Sequence, residues 1–422
     1  MKKPVKRKQT KDDTEQSKKR KSIQPLSQPS RPTTAGTVLV CGQGDVGQLG
    51  LGPDIMERER PFPVNTLENI VSIAAGGMHS VVLNDKGEVY TFGCNDEGAL
   101  GRVTEADGPP EKSESLPAIV KLPSPAVMIS AGDSHSCALL EDGLVYVWGT
   151  FRDSHGTLGL TEDSLKSSEP IMVNHPNPFV KVSSGADHLV LLDNMGCVFT
   201  CGCAEQGQLG RINSRSCDRY YARNGSSMFL LPKKVEYKLS LKMNIGQVWA
   251  GTYSSFTKPN DGSDIFVFGL NNYCQLGLPT KTMISYFPKK SNALSKNITW
   301  SKISAGPHHT LGIDSEGKCY ALGRHEYGRL GVGDVKEDAK DIIEIPLLKD
   351  IKCIDVSCGL TSSFAVTENG DVYAWGMGGN GELGTGSEED ALTPVKLTGK
   401  HINGKKVLAV SGGGQHTIFL AK

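Results

Sequence analysis

Short stretches of alternating apolar and polar residues recur from about residue 36 to the last residue. They are rich in β-branched and aromatic side chains and end at glycine-containing turns; examples are SVVL (80–83), EVYTFG (88–93), LVYVWG (144–149) and DVYAWG (371–376). A period of two in hydrophobicity predicts β-strands. The turns at residues 84–87 and 141–143 end in glycine, which supplies the positive φ of tight hairpins. The chain is therefore predicted to consist of β-hairpins.

These hairpins belong to a repeat, and its length predicts the architecture. Each copy has a Gly-Gly-like step, a His-Ser-like pair, two strands and a closing Leu-Gly. Successive closing glycines are 51, 58, 51, 67, 54 and 53 residues apart, and they are Gly50, Gly101, Gly159, Gly210, Gly277, Gly331 and Gly384. That spacing suits a four-stranded propeller blade and exceeds helical repeat units. The sequence predicts an all-β, seven-bladed β-propeller.

The two incomplete repeats lie at the ends of this region. The first, residues 38–50, lacks the strand that begins at the histidine, and the last, residues 412–420, lacks the strand that ends at Leu-Gly. Together they supply one blade. Pairing of N- and C-terminal strands removes the open sheet edges, so this closure is predicted. The propeller is assigned to residues 36–422.

Strand pairing also predicts which residues share a rim. Because a hairpin returns the chain to the edge it left, the Gly-Gly-x-His segments and the ends of the second strands lie on one rim, with the hairpin turns on the other. The recurring histidines are interpreted as buried links between blades, with a direct functional role as the alternative; they are His79, His135, His188, His309 and His416.

Positions that break the repeat are candidates for a site, since an asymmetric partner needs an asymmetric surface. Asp133, Asp187 and His308 occupy repeat positions that hold uncharged residues in most other copies, and Asp45 is predicted on the same rim. An insertion places Phe151, Arg152 and Asp153 after Trp148-Gly149, and Phe151 and Arg152 are expected to protrude. This surface suits a basic protein partner. Solvated loop charge is the alternative for each residue.

Charge is concentrated at the N-terminus. Residues 1–35 hold 11 Lys or Arg and three acidic residues, a net charge of +8, so the balanced chain leaves −8 on residues 36–422. With few large apolar residues, 1–35 is predicted to be a disordered tail. Two basic clusters suit nuclear import and contact with DNA phosphates; a merely solubilising tail is the alternative. The clusters are Lys2, Lys3, Lys6, Arg7 and Lys8, then Lys18, Lys19, Arg20 and Lys21.

The longest gap holds a second basic region, and several kinds of site are not found. Residues 211–234 combine arginines and lysines with Tyr220 and Tyr221, a combination that suits acidic protein or nucleic acid; an elaborated surface loop is the alternative. No phosphate-binding loop, zinc-protease motif or nucleophile elbow occurs in the sequence. No metal site, cofactor, covalent chemistry or membrane segment is predicted, and the 11 scattered cysteines are expected to be reduced.

Several segments resemble one family. They are GQGDVGQLGLG (42–52), AGGMH (75–79), FGCNDEGALGR (92–102), AGDSH (131–135), WG-x-FRD (148–153), EQGQLGR (205–211), EYGRLG (326–331), WGMG (375–378) and SGGGQHT (411–417). They resemble the regulator of chromosome condensation family, the guanine-nucleotide exchange factors of the small GTPase Ran. The resemblance covers residues 36–422 and extends beyond the generic repeat.

This resemblance implies a function and its residues. A chromatin-bound, monomeric propeller would release GDP from Ran in the nucleus, meeting the cytoplasm only in transit or after nuclear envelope breakdown. The implied exchange residues are Asp45, Asp133, Phe151, Arg152, Asp153, Asp187 and His308. Arg219 and Arg223 match the family's histone-binding loop, and the basic tail its contacts with nucleosomal DNA and an import receptor. A chromatin scaffold without exchange activity remains one alternative, and an enzymatic propeller another.

Overall fold

The protein, described from a computed structural model, is defined over residues 24–104, 110–218, 225–237 and 243–422. These residues form seven four-stranded antiparallel sheets and one two-stranded hairpin. Within these ranges the helical segments are α1 (Pro110–Glu114), α2 (Ser227–Leu230) and two 3-10 turns at Glu326–Gly328 and Pro346–Leu348. None of these helices has the length or apolar character needed to cross a membrane.

Each sheet is one blade, and the strands are given from the innermost to the outermost. Blade I has β3 (Ile70–Ala75), β4 (His79–Asn84), β5 (Val89–Gly93) and β6 (Ala118–Val120). Blade II has β7 (Ala126–Ala131), β8 (His135–Leu140), β9 (Val145–Gly149) and β12 (Ser167–Met172). Blade III has β13 (Phe179–Ser184), β14 (His188–Asp193), β15 (Val198–Gly202) and β16 (Lys233–Lys234).

The remaining blades follow the same order. Blade IV has β17 (Ile245–Gly251), β18 (Ser254–Pro259), β19 (Phe266–Leu270) and β20 (Ile284–Lys290). Blade V has β21 (Trp300–Ala305), β22 (His309–Asp314), β23 (Cys319–Gly323) and β24 (Ala339–Glu344). Blade VI has β25 (Cys353–Cys358), β26 (Ser362–Thr367), β27 (Val372–Gly376) and β28 (Ala391–Lys396). The separate hairpin in blade II is β10 (Phe151–Asp153) and β11 (Gly156–Gly159).

Blade VII joins the two ends of the chain and confirms the predicted closure. Its strands are β29 (Val407–Gly412), β30 (His416–Ala421), β1 (Thr37–Gln43) and β2 (Glu57–Pro63). β1 and β30 pair antiparallel over six residue pairs, from Thr37–Ala421 to Gly42–His416. The ring is therefore held shut by main-chain hydrogen bonds between segments about 380 residues apart in sequence.

Indole rings and glycines pack the blades together. Trp148 in β9 is fully buried, and its indole N–H donates a 2.8 Å hydrogen bond to the carbonyl of Ala99 in the preceding blade. Gly101 faces this ring, and a Cβ there would lie 2.8 Å from it. Gly101 also has a φ of 67°, a conformation that favours glycine. The same combination of a left-handed turn and a facing aromatic ring recurs at Gly50, Gly210 and Gly331.

The recurring histidines link adjacent blades, as predicted. In four places the imidazole Nε2 lies 2.7–3.0 Å from a serine hydroxyl of the next blade; the pairs are His79–Ser136, His188–Ser255, His309–Ser363 and His416–Ser80. Burial lowers the pKa of each of the four imidazoles, to about 4 or about 3, so they are neutral at pH 7. His135 differs, because Leu189 stands where the next blade's serine would be.

The boundary between tail and propeller falls before the predicted residue 35. Residues 24–35 form no strand but follow three blades along the turn rim, the end of the ring that carries the hairpin turns. The amide of Leu26 donates to the carbonyl of Asn194, and Arg31 donates to the carbonyls of Asp85 and Ala126. This part of the assigned tail is therefore bound to the propeller. Residues 1–23 lie outside the described residues.

Candidate functional site

The candidate residues lie at the end of the ring opposite the turn rim. We call this end the entry rim; it carries the residues just before the second strand of each blade. Asp133 precedes β8, Asp187 precedes β14, His308 precedes β22 and Asp45 follows β1. The amide of Gln43 donates to the carbonyl of Gln415, which fixes the loop after β1 at this same end. All four side chains thus share a rim, as predicted from strand pairing.

The hairpin β10–β11 rises from the entry rim between blades II and III. Arg152 and the turn residues Ser154 and His155 are exposed, so the arginine protrudes as predicted. Phe151 does not: it is 1% exposed, and its ring lies 4.6 Å from that of His135. The expectation that Phe151 protrudes is therefore wrong. At this blade junction Leu189 replaces the serine that would bind His135, and the apolar ring of Phe151 packs against that histidine instead. Phe151 anchors the hairpin.

Asp187 holds the hairpin from the neighbouring blade. Its Oδ1 accepts a 2.8 Å hydrogen bond from the backbone N–H of Arg152. Burial, together with the nearby charge of Asp133, raises the pKa of Asp187 to about 7, although the Arg152 hydrogen bond and charge oppose this shift. The carboxyl group of Asp187 therefore changes its protonation state near neutral pH.

Asp133 lies near the same hairpin. Its side chain is accessible at the rim, yet the surrounding blades desolvate the carboxylate and raise its pKa, while the charge of Arg152 lowers it. The guanidinium of Arg152 also lies 3.6 Å from a carboxylate oxygen of Glu97. The exposed guanidinium of Arg152 therefore lies among the carboxylates of Asp133, Asp187 and Glu97. We name the set of Asp133, Asp187 and Arg152 the hairpin cluster.

Asp45 and His308 share the rim but have their own surroundings. Asp45 is exposed and accepts a 3.0 Å hydrogen bond from the side-chain amide of Gln48. His308 is half-buried, with its ring 5.0 Å from that of Tyr273, over which Arg324 stacks at 4.6 Å. Burial and then the charges of Arg329 and Arg324 lower the pKa of His308. The contacts described for these two residues do not include the hairpin cluster.

Tyr253 was missed by the sequence reasoning. This half-buried residue directly precedes Ser254, the same repeat position that Asp187 and His308 occupy in their blades. Burial and then the charges of Asp133 and Asp187 raise the pKa of the Tyr253 hydroxyl. The signal was present, since tyrosine breaks the repeat at a position already singled out, but an uncharged residue was treated as ordinary.

The predicted chromatin-binding residues are not placed by the structure. Arg219 and Arg223 lie outside the described residues, as do the nine basic residues named in the tail. Arg211, at the start of the basic region, is structural: its guanidinium donates hydrogen bonds to the carbonyls of Thr200 and Met228. In contrast, Lys233 and Lys234 in β16 are exposed on the outer edge of blade III.

The fold and the rim together define a class of protein, the RCC1-like propellers. The model of the RCC1-like domain matches residues 37–419. Two solved yeast structures are similar. A Kap60 complex of yeast RCC1 (Prp20) has 28% identity and a TM-score of 0.82, covering all of this chain and 96% of that one. Prp20p of Saccharomyces cerevisiae has 29% identity and a TM-score of 0.81, covering 94% and 93%.

Sequence relatives give the particular family. The chain is 48% identical to the regulator of chromosome condensation of Xenopus laevis, over 96% of this chain and 94% of that protein. It is 46% identical to the human protein of that name, over 94% and 93%. It is 29% identical to the guanine nucleotide exchange factor SRM1 of Saccharomyces cerevisiae, over 94% and 87%. The chain belongs to the regulator of chromosome condensation family.

Proposed function

We propose that this protein is a guanine-nucleotide exchange factor that releases GDP from the small GTPase Ran while bound to chromatin. The observation that carries the proposal is the hairpin cluster, in which a protruding hairpin is held by a carboxylate on an acidic rim. The relatives support it: SRM1 is a guanine nucleotide exchange factor by name, and Prp20p is described as binding Gsp1p and histones.

Exchange by such a site requires only differential binding. If the hairpin contacts the GTPase where its nucleotide is held, the nucleotide-free form binds this protein more tightly than the loaded form. Linkage then makes the effect reciprocal, so the bound propeller weakens the nucleotide and a new nucleotide expels the propeller. Carboxylates on the rim attract basic residues of the GTPase and speed association, less so at high salt. The mechanism asks no covalent chemistry of this chain.

Acceleration at catalytic amounts is the test of this function. With one protein per hundred Ran molecules, we expect release of fluorescent GDP to be complete in the presence of excess GTP, because each propeller is freed by the incoming nucleotide. Stopped-flow fluorescence measures the rate. Binding of Ran without faster release would contradict exchange and favour the chromatin scaffold instead.

Chromatin binding is proposed for the opposite side of the disc. Residues 24–35 lie along the turn rim, so the basic segment that precedes them joins the ring away from the hairpin cluster. The exposed Lys233 and Lys234 flank the basic loop on the outer edge of blade III. This arrangement leaves the entry rim open to a GTPase while histones, DNA or an import receptor bind elsewhere. A nuclear, chromosome-associated location follows.

Removing the basic groups is expected to weaken nucleosome binding and leave exchange intact. Deletion of 1–23 combined with Arg219→Ala and Arg223→Ala should lower nucleosome affinity at least tenfold. The nucleosome affinity of this variant should also depend less on the salt concentration, because its binding releases fewer counterions. Electrophoretic mobility shifts at several salt concentrations measure this effect. Exchange on free Ran serves as the control and should not change. Unaltered nucleosome affinity would show that other residues make the contact.

A further inference from the structure

Three side chains with metal-binding chemistry meet at the turn of the β10–β11 hairpin. Asp153 and His155 come from the hairpin, and Glu205 comes from the loop after β15 in blade III. The imidazole Nδ1 of His155 lies 3.8 Å from Oδ1 of Asp153 and 3.7 Å from Oε1 of Glu205. One ligand atom from each residue lies within 4.8 Å of the other two. The group bridges two blades.

Hydrogen bonds fix these side chains in place. The amide of His155 donates to Oδ1 of Asp153 at 2.9 Å. The amide of Ser154 donates to Oε2 of Glu205 at 3.0 Å, and its hydroxyl donates to Oε1 at 2.5 Å. The Asp153 side chain is only 4% exposed. A charged carboxylate with so little access to water needs a compensating cation or donors.

Two thiols lie behind the two carboxylates. Asp153, Glu205, Cys203 and Cys217 line one small cavity behind the hairpin. Sγ of Cys203 lies 4.0 Å from Oε2 of Glu205. These thiols border the carboxylates, while the three candidate ligand atoms are one imidazole nitrogen and two carboxylate oxygens.

We propose that Asp153, His155 and Glu205 bind a zinc ion, with water in the fourth position. Bonds of about 2.0–2.1 Å in a tetrahedral zinc site place ligand atoms roughly 3.3 Å apart. The two carboxylates lie 3.7–3.8 Å from the imidazole Nδ1, and all three ligand atoms lie within 4.8 Å of one another, so side-chain rotations close the site. Imidazole suits zinc, whereas magnesium and calcium take oxygen ligands. The sequence reasoning predicted no metal because it tested only local spacings, and Glu205 lies 50 residues after His155.

Such an ion ties the tip of the hairpin in blade II to blade III. It acts beside the hydrogen bonds that Arg152 donates to Asp187 and Ser154 donates to Glu205, and it restricts the exposed hairpin further. The competing arrangement is the contact of His155 with the two carboxylates as the structure has it, without any metal. A metal titration distinguishes the two arrangements.

Zinc binding to the full-length protein tests the proposal. After dialysis against a chelator, ZnCl2 is titrated in competition with a chromophoric chelator, with MgCl2 in a parallel series. We expect one zinc per chain to be bound in addition to any weaker sites, and no comparable magnesium binding. H155N and E205Q should each lower the affinity for this zinc ion at least tenfold, and C203S should leave it unchanged.

His401→Asn provides the matched control, since this histidine packs against Phe62 on another blade. It should leave zinc affinity unchanged. Circular dichroism melting establishes that the variants are folded, and two independent ligand variants guard against one that is not. Absence of tight zinc, equal magnesium binding, or zinc affinity unaffected by both H155N and E205Q would overturn the site. None of these measurements uses the GTPase, so the result is independent of the proposed exchange activity.

Discussion

Replacing Asp187 with alanine is expected to slow nucleotide release from Ran about 10- to 100-fold. The carboxylate accepts the 2.8 Å hydrogen bond from the amide of Arg152, which orients the exposed hairpin. A hydrogen bond to a charged group contributes about 1.5–3 kcal/mol, and the variant removes both this bond and one negative charge of the rim. Stopped-flow release of fluorescent GDP from Ran, at saturating and limiting protein, separates binding from the exchange step.

The pH dependence gives this prediction a signature that misfolding does not produce. The folded-state pKa of Asp187 is raised to about 7, above the usual value near 3.9. Ionising it therefore costs stability, and this cost is absent below about pH 4 and complete above pH 7. Wild-type exchange should rise between pH 6 and pH 8 as the carboxylate ionises. Asp187→Asn keeps the size of the side chain but should lose this rise.

Stability serves as the control for both variants. Because the charge of Asp187 is unfavourable in the folded state, Asp187→Asn should not lower the melting temperature at pH 8. A rate of exchange equal to wild type in Asp187→Ala would remove the hairpin cluster from the mechanism. A melting temperature below that of the wild type would instead indicate that Asp187 is needed for folding.

Replacing Trp148 with alanine is expected to lower the free energy of unfolding by about 3–5 kcal/mol, the range for large aromatic deletions in a core. The ring is fully buried between blades I and II, and its loss leaves a cavity beside Gly101. It also leaves the carbonyl of Ala99 without the indole donor. Urea denaturation followed by circular dichroism measures the change.

Two other substitutions sharpen the measurement on Trp148. Trp148→Phe keeps most of the apolar volume but not the donor, so it should lose less stability than the alanine variant. Tyr146→Ala, on the same strand with a half-buried ring, should lose less again. Equal losses at positions 146 and 148 would show that the blade junction does not depend on the indole.

The repeat predicted the ring well, because every blade is formed by the same pattern of strands and hairpin turns, and this pattern recurs along the sequence. Hairpin turns fix the direction of each strand, so the shared rim of Asp133, Asp187 and His308 followed from pairing alone. The two unpaired half-repeats likewise indicated the closure of β1 on β30. These inferences need no knowledge of side-chain contacts.

What failed depended on contacts between residues distant in sequence. Phe151 looked exposed because it lies in an insertion, yet it is buried against His135 of its own blade. Arg31 looked like part of a free tail, yet its guanidinium donates to the carbonyls of Asp85 and Ala126. Glu205 joins His155 from another blade, which no local spacing reveals. Composition and periodicity carry no information about such pairs.

The pairing of β1 with β30 has a consequence for the ribosome. Because synthesis runs from the N-terminus, β1 is made long before its partner β30, which lies about 370 residues later in the chain. Until β30 is made, one edge of the apolar strand β1 (TVLVCGQ) has no hydrogen-bonding partner. Unpaired strand edges promote aggregation and binding by chaperones. If translation stops before residue 416, this edge of β1 stays permanently unpaired. We expect cellular quality control to recognise such truncated products by that edge.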